Sequence, residues 1–204
     1  MKLDIGVSAN YPWFGPKFTD LARHIEQLGF ESLWTGEHII IPVDIADPFR
    51  YGVPLPKNYK HMPDPFINMA AASAVTTKLK FGLDVCLITQ RDLLVFAKEA
   101  ATLDFFSGGR LEFGLGAGWL AAEYEALGIQ MDSAGVRVSR MEEYIKAAKV
   151  AFAGGEVHFD GTAEEIAGLM IGALALDGGR AGHDGRAFAQ NRERSDVIDS
   201  SCLS

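Results

Sequence analysis

The fold is decided by a stretch near the middle of the chain, Ser107-Gly108-Gly109-Arg110-Leu111-Glu112-Phe113-Gly114-Leu115-Gly116-Ala117-Gly118-Trp119. The first two glycines stop a helix, residues 110–115 are predicted to form a strand, and a Gly-Ala-Gly-Trp turn follows. A strand that ends in glycines lets a flat ring or a phosphate approach the backbone, because no Cβ stands in the way. In barrels of alternating strands and helices, ligands bind at that end. By itself the stretch predicts a binding turn and no more.

Strand and helix signals alternate on both sides of this stretch. Strands are predicted at residues 3–7, 31–35, 79–88 and 110–115, and helices at residues 18–28, 65–77, 92–106, 121–127 and 141–152. Strand–helix repetition without hairpin turns predicts a parallel sheet, since parallel neighbours need a crossover connection. The pattern suits either an open doubly wound sheet or the first half of a β/α barrel, and it does not decide between them.

The segment from Gly36 to Asp64 separates the second strand from its helix and is far longer than an ordinary connection. It holds five of the eight prolines and several aromatic residues. A stiffened aromatic segment of this length after a strand usually covers a site, and a surface excursion without function is the alternative.

The sequence changes character after Gly161. Thr162-Ala163-Glu164-Glu165 reads as a capping box and predicts a helix to about Leu176. Beyond Asp177 the chain is rich in Gly, Arg and Asp without periodicity, which predicts irregular structure. We therefore divide the chain into an N-terminal part, residues 1–161, and a helical or irregular tail, residues 162–204.

Composition narrows the class of protein. The 204 residues carry a formal net charge of −8, which argues against nucleic acid or an anionic membrane as the main partner. No apolar run approaches the roughly 20 residues of a membrane span, and Asp4 interrupts any signal-peptide core, so we expect a cytoplasmic protein. Cys86 and Cys202 form no paired motif, which predicts reduced thiols rather than a disulfide scaffold or a zinc ribbon.

One histidine is placed where chemistry is expected. Glu37-His38 follows the second predicted strand directly, and an imidazole there can exchange a proton with a bound substrate near pH 7. The alternative is a structural histidine bonded to a backbone carbonyl. No histidine pair has metal-ligand spacing, so we expect no metal site.

Two other features bear on the kind of ligand that this chain binds. The glycines from Gly114 to Gly118 lack G-x-G-x-x-G spacing and follow the fourth strand, which disfavours a dinucleotide-binding fold. Trp13, Trp34 and Trp119 fall near the ends of three predicted strands; each alone is more often core packing, but three favour a site for a flat aromatic ligand.

With these residues assembled, the chain resembles the luciferase-like monooxygenase family from Met1 to about Gly161. The resemblance rests, in order, on residues 28–34, on Glu37-His38 before an aliphatic-Pro loop, and on residues 97–104, 107–119, 140–144 and 159–161. It implies a (β/α)8 TIM-type barrel, here incomplete, with about four to five β/α units plus a C-terminal helix and an irregular tail. It also implies a flavin- or deazaflavin-dependent oxidoreductase that acts on a small organic substrate by hydride transfer or oxygen insertion.

The resemblance implies roles for particular residues. His38 would lie near the reactive face of the flavin ring, and the third strand would pass behind the isoalloxazine with a non-proline cis peptide at Asp84-Val85. The residues expected at the cofactor are Glu37, Asp84, Val85, Gly116, Ala117 and Gly118, with Trp13 and Trp119 on the substrate side. The cofactor would be coenzyme F420 or FMN, and the wording of residues 37–42 resembles deazaflavin-dependent members slightly more.

The sequence departs from the family after Thr162. The proline-rich segment and the later Gly-Gly strand ends of longer members are missing, and in the family those later loops commonly hold the coenzyme phosphate. A frameshift, a truncation or a genuinely shortened variant would explain this. The alternatives to an active enzyme are therefore a flavin-binding protein without turnover and an inactive fragment. Half a barrel leaves the edges of its first and fourth strands unpaired, which predicts a homodimer.

Overall fold

The computed structural model describes residues 4–43, 54–152, 156–161 and 165–170. Four parallel strands form the main sheet in the order β1-β2-β3-β4, which is also their order along the chain. They are β1 (Gly6–Ser8), β2 (Ser32–Thr35), β3 (Lys80–Cys86) and β4 (Leu111–Leu115). The doubly wound alternative would place later strands on the other side of β1, so this order confirms the barrel interpretation.

Helices connect and follow the strands. They are α1 (Phe18–Gln27), α2 (Pro65–Ser73), α3 (Leu93–Ser107), α4 (Ala121–Ala126) and α5 (Ala134–Phe152), with short 3-10 helices at Lys57–His61 and Ile88–Gln90. None of the helices in the described ranges is both long and apolar enough to cross a membrane. Two further strands, β5 (Glu156–Asp160) and β6 (Glu165–Met170), form a separate antiparallel pair.

The helix ends follow their local chemistry. Asp64 caps α2 by accepting a hydrogen bond from the backbone N–H of Ile67, and Pro65 occupies the first turn. Asp92 caps α3 by accepting from two backbone N–H groups. Gly108 ends α3 in the left-handed region with φ 73°, as the Gly-Gly pair predicts.

The two faces of the sheet differ. Leu33, Phe81 and Leu83 join the buried core that also contains residues of α1, α2 and α3. On the other face of the sheet, the ring of Trp34 lies across Gly82, where any Cβ would collide with it. Nearby, the ammonium group of Lys80 binds the carboxylates of Glu31 at 2.7 Å and Glu112 at 3.0 Å. The sheet therefore has one apolar face under helices and one face of polar and ring-stacked side chains.

The expected C-terminal helix from Thr162 is wrong over Glu165–Met170, which is strand β6. Asp160 pairs with Glu165, and Asp160-Gly161 at the end of β5 is a strong turn signal. Gly168, in the middle of the expected helix, would cost about 1 kcal/mol relative to Ala. The tail beyond residue 170 and the part of the long cover segment at residues 44–53 lie outside the described residues.

Candidate functional site at the carboxyl ends of the strands

His38 lies just beyond the end of β2, with its side chain only 6% exposed. Its Nδ1 is 3.2 Å from Oε2 of Glu123, a residue of α4 whose side chain is 1% exposed. The other carboxylate oxygen of Glu123 accepts a hydrogen bond from the backbone N–H of Ile40 at 3.3 Å. The imidazole is thus bound to a buried carboxylate and not to a backbone carbonyl.

This contact sets the tautomer of His38. An ionised carboxylate can only accept hydrogen bonds, so we assign the Nδ1 hydrogen as the donor to Glu123. Nδ1 is then committed to the protein, so any proton exchange between the ring and a ligand would use Nε2. A carboxylate that orients an imidazole in this way is a recurrent device at catalytic and metal-binding histidines.

Two aromatic rings flank the imidazole. The ring of Tyr59, from the 3-10 helix Lys57–His61, lies 5.2 Å from it, and the ring of Trp119 lies 6.1 Å from it in an edge-on arrangement. Asn10, after β1, donates a side-chain hydrogen bond to the Tyr59 hydroxyl at 3.2 Å. Segments that follow β1, β2 and β4 therefore meet around His38, and the expected proximity of Trp119 and His38 is observed.

Glu37 has a different position from the one expected of a cofactor contact. Its side chain is buried, with one oxygen accepting from the backbone N–H of Leu87 at 2.7 Å and the other paired with the guanidinium of Arg91. Burial alone would lower the pKa of Arg91, but the hydrogen bonds and charge of Glu37 raise it overall. Because both oxygens bind the protein, we reassign Glu37 from the cofactor to holding the ends of β2 and β3 together.

Asp84 and Val85 are joined by a cis peptide bond, as the resemblance implied. They interrupt a run, residues 81–90, that is otherwise buried: Asp84 is exposed and Val85 is partly exposed. Desolvation by neighbouring protein raises the pKa of Asp84, and a hydrogen bond from the Ser8 hydroxyl acts in the opposite direction. The pairing of β3 with β4 shifts between Leu83 and Cys86. Exposed residues therefore stand at this end of the sheet, within an otherwise buried run.

The glycines after β4 serve close packing. A Cβ on Gly116 would collide with the Val85 side chain, so that space is filled by protein and not left open for a ligand. Gly118 has φ +69°, and a Cβ there would lie 3.0 Å from the hydroxyl of Tyr124. That buried hydroxyl donates to the carbonyl of Ala117 at 2.5 Å and is 2.9 Å from the Thr89 hydroxyl. The turn 116–118 is thus fixed against α4 beside the Asp84-Val85 peptide.

Sequence reasoning missed Glu123, Tyr59 and Arg91. Glu123 was detectable. It stands three residues after Leu120 and one before Tyr124, and both of these side chains are fully buried. A glutamate on the buried side of a short helix needs a partner. Its partner is 85 positions away in sequence, so nothing local identifies it. Trp13, expected on the substrate side, is 66% exposed in the loop after β1.

Known proteins resemble this chain in sequence. Residues 16–171 match the sequence model of a family described as luciferase-like monooxygenase. An uncharacterized protein of Mycobacterium tuberculosis is 34% identical over 143 residues, which are 69% of this chain and 50% of that protein. Limonene 1,2-monooxygenase of Rhodococcus erythropolis is 33% identical over 110 residues, 54% of this chain and 24% of that enzyme.

The fold matches solved structures as well. A monooxygenase from Streptomyces bottropensis superposes with a TM-score of 0.66 and 25% identity, over 83% of this chain and 49% of that one. The chain thus spans about half the length of the Mycobacterium relative and of this structure.

Proposed function

The chain belongs to the luciferase-like monooxygenase family, and from that premise we propose that it is part of an oxidoreductase that uses a flavin or deazaflavin on a small organic substrate. The observation that carries the proposal is the buried His38–Glu123 pair, which leaves Nε2 of the imidazole for a ligand. The pair lies where parallel strands of this barrel class present their ligand-binding end.

The residues at this end fit a planar ring. The exposed Asp84-Val85 peptide offers a flat surface, and the turn 116–118 beside it is held rigidly by Tyr124. We propose that Asp84, Val85 and the turn residues Gly116, Ala117 and Gly118 contact the ring through backbone and short side-chain atoms. Glu37 supports the site through Arg91 instead of touching the ring.

The choice of cofactor is a finer proposal. Two solved structures with this fold are those of a Baeyer-Villiger monooxygenase in complex with FMN and of an F420-dependent secondary alcohol dehydrogenase with an F420-acetone adduct. At 17% and 23% identity they show the fold alone, with TM-scores of 0.64 and 0.66. We propose coenzyme F420 first and FMN second, because residues 37–42 resemble deazaflavin-dependent members more.

The bound cofactor supplies hydride equivalents or, with oxygen, an oxygen atom for insertion. The chain's own contribution is proton handling and exclusion of water. In this tautomer Nε2 of His38 can take a proton from a substrate oxygen and afterwards return it, while Glu123 keeps the ring in one orientation and tautomer. The rings of Tyr59 and Trp119 shield the imidazole from bulk water.

Cofactor binding tests the proposal directly. We expect purified protein to bind FMN or F420 at micromolar concentrations, measured by quenching of cofactor fluorescence. Asp84→Trp would place a bulky side chain on the proposed ring surface and abolish binding, whereas Asp20→Trp, at an exposed position of α1, would not. Binding of neither cofactor by folded wild-type protein would refute the function.

A second candidate is a flavin-binding protein without turnover, because the sequence after Thr162 departs from that of the family. Such a protein would bind cofactor, but replacement of His38 by Ala would change no reaction. We also propose a cytoplasmic homodimer. Within the described strands, β1 and β4 are the sheet edges and each has a neighbour on one side only. Sedimentation equilibrium distinguishes dimer from monomer.

A further inference from the structure

Ligands have little access to His38 in this structure. Its side chain is 6% exposed, and Nδ1 is taken up by Glu123. A substrate that exchanges a proton with Nε2 must touch that atom, and its reacting group needs space that neighbouring side chains now occupy. One of the groups packed against the imidazole must therefore move before a substrate reaches Nε2.

The first of the two rings beside the imidazole, that of Trp119, belongs to a rigid segment. Trp119 directly follows the turn 116–118, in which the carbonyl of Ala117 accepts a hydrogen bond from the buried hydroxyl of Tyr124 at 2.5 Å. The next residue, Leu120, is 0% exposed. A displacement of this segment would break buried contacts, so we expect Trp119 to stay in place.

The second ring, that of Tyr59, belongs to the 3-10 helix Lys57–His61. None of these five residues, all of which the structure describes, has a buried side chain. The hydroxyl of Tyr59 accepts a hydrogen bond from the side-chain amide of Asn10, and the side chain of Asn58 donates to the backbone carbonyl of Asn10, each at 3.2 Å. Both bonds are exposed to solvent, and elements with few buried contacts and exposed hydrogen bonds are the ones that open locally. Of the two rings, that of Tyr59 is therefore the one that can move.

Asn10 is the fixed side of this contact. The residue before it, Ala9, donates its backbone N–H to the carbonyl of Trp34 at 2.9 Å, which continues the pairing of β1 with β2. The amide oxygen of Asn10 lies against Gly36, where a Cβ would come within 2.7 Å of it. The amide is thus held with its oxygen toward the end of β2 and its nitrogen toward the Tyr59 hydroxyl.

The last residue of the 3-10 helix is anchored separately. The backbone N–H of Trp13 donates to the carbonyl of His61 at 2.8 Å. The rings of Trp13, Phe14 and His61 pack edge-on, with centroids 5.5 to 6.1 Å apart. The ring of Tyr59 can therefore swing away from the imidazole while the helix stays attached at His61.

We propose that the ring of Tyr59 is a gate over Nε2 of His38, and that Asn10 is a positioning residue that latches this gate closed. The inference rests on the proposed function, since the molecule that the gate admits is the substrate. In the closed state the ring of Tyr59 lies 5.2 Å from the imidazole, and the Asn10 amide binds its hydroxyl. In the open state that hydrogen bond is broken and Nε2 is uncovered. The bond from His38 to Glu123 is kept, because Glu123 belongs to α4 and not to the gate.

Labelling with diethyl pyrocarbonate measures the open state, because this reagent acylates a neutral imidazole only at a ring nitrogen that it can reach. Mass spectrometry of the purified protein follows the rate at His38, with the exposed His24 as internal reference. We expect His38 of the wild type to react at least about tenfold more slowly than His24. Asn10→Ala and Tyr59→Phe each remove the latch and should raise the His38 rate about fivefold, the factor that one net hydrogen bond gives. The double variant should raise the rate no further, because both changes remove the same bond.

Asn68→Ala, at an asparagine of α2, is the matched control and should leave the His38 rate unchanged. Cys86, which is 0% exposed, separates opening of the gate from unfolding, because iodoacetamide reaches its thiol only when the core opens. The inference is overturned if wild-type His38 reacts as fast as His24, if Asn10→Ala leaves the His38 rate unchanged, or if the two single effects multiply in the double variant. It is also overturned if the control accelerates the reaction equally, or if Cys86 is alkylated together with the labelling of His38. Quenching of cofactor fluorescence, measured separately, shows whether the proposed function has failed instead.

Discussion

Replacing Glu123 by Gln should move a single hydrogen on His38. Gln has nearly the shape of Glu, so its amide oxygen can keep the hydrogen bond from the backbone N–H of Ile40. Its amide nitrogen can only donate, so it would donate to Nδ1 of His38 and force the ring hydrogen onto Nε2. The loss of two charge-assisted hydrogen bonds in exchange for neutral ones costs about 1 to 2 kcal/mol of unfolding free energy.

Glu123→Ala should be more damaging. It leaves the buried His38 Nδ1–H and the part-buried Ile40 N–H without their partner, and each orphaned donor costs about 1 to 3 kcal/mol. Since water can enter the vacated space, we expect each donor to cost an amount in the lower part of that range. The free energy of unfolding measured in urea should therefore fall by a total of about 2 to 3 kcal/mol. Loss of general acid–base catalysis would lower turnover by about 10² to 10⁴-fold in either variant.

Long-range 15N–1H correlation spectra measure the tautomer without an activity assay. The His38 signals are identified by their absence in His38→Ala, and spectra are recorded at a pH where the ring is neutral. We expect hydrogen on Nδ1 in the wild type and on Nε2 in Glu123→Gln. The reasoning is refuted if the wild type carries its hydrogen on Nε2, or if the glutamine variant leaves the tautomer unchanged.

Three further predictions concern stability, each measured by chemical denaturation. Gly128→Ala should cost about 1 to 2 kcal/mol from its positive φ alone, because a Cβ there meets nothing within 4 Å. Gly118→Ala, at the same φ, should cost at least about 1 kcal/mol more, because its Cβ would crowd the buried hydroxyl of Tyr124. Equal losses in the two variants would contradict this packing. Arg91→Met leaves the buried carboxylate of Glu37 unpaired and should cost about 3 to 5 kcal/mol. The double variant with Glu37→Gln should recover part of that loss, and no recovery would count against the pairing. Burial would raise the pKa of Glu26, but three backbone N–H groups that it accepts from lower it overall. Its folded pKa is therefore below its unfolded one, so its contribution is present above pH 4.5 and is lost as the pH falls further. Glu26→Gln should cost about 1 to 3 kcal/mol at pH 7, with the difference shrinking in acid; a constant difference would show that the charge is irrelevant.

The positions of the four main strands along the chain were predictable, because each is a short apolar run between turn residues, whereas the pattern left their order in the sheet open. The start of α5 was not, because the first residues after Ala134 include a glycine and lack apolar periodicity. The helix begins there because the backbone N–H of Arg137 bonds to the carbonyl of Ser133 and Arg140 pairs with Asp132 at 2.7 Å. These contacts override the low helix propensity of the first residues of α5, and the apolar periodicity of the sequence does not reveal them.

The site was predictable in its position and not in its partners. His38 was predicted from its position directly after the second strand, and the Asp84-Val85 cis peptide was predicted from the family resemblance. The glycines after β4 were expected to open space for a ring, whereas Val85 fills the space at Gly116. Glu37 was assigned to the cofactor because it precedes His38, but successive residues point in different directions and its carboxylate turns into the protein toward Arg91.

The anchoring of His38 and the anchoring of the aromatic rings use separate parts of the chain. The histidine is held by Glu123 from α4, and the strand end before it by Arg91 next to α3. The rings of Trp13, Phe14 and His61 are held by bonds between the loop after β1 and the helix Lys57–His61, and by the packing of Tyr11 against Phe18. The two systems meet at Tyr59, because this residue of the same helix also lies against the imidazole. An exchange of these two loops with those of a relative would therefore also change the surroundings of His38.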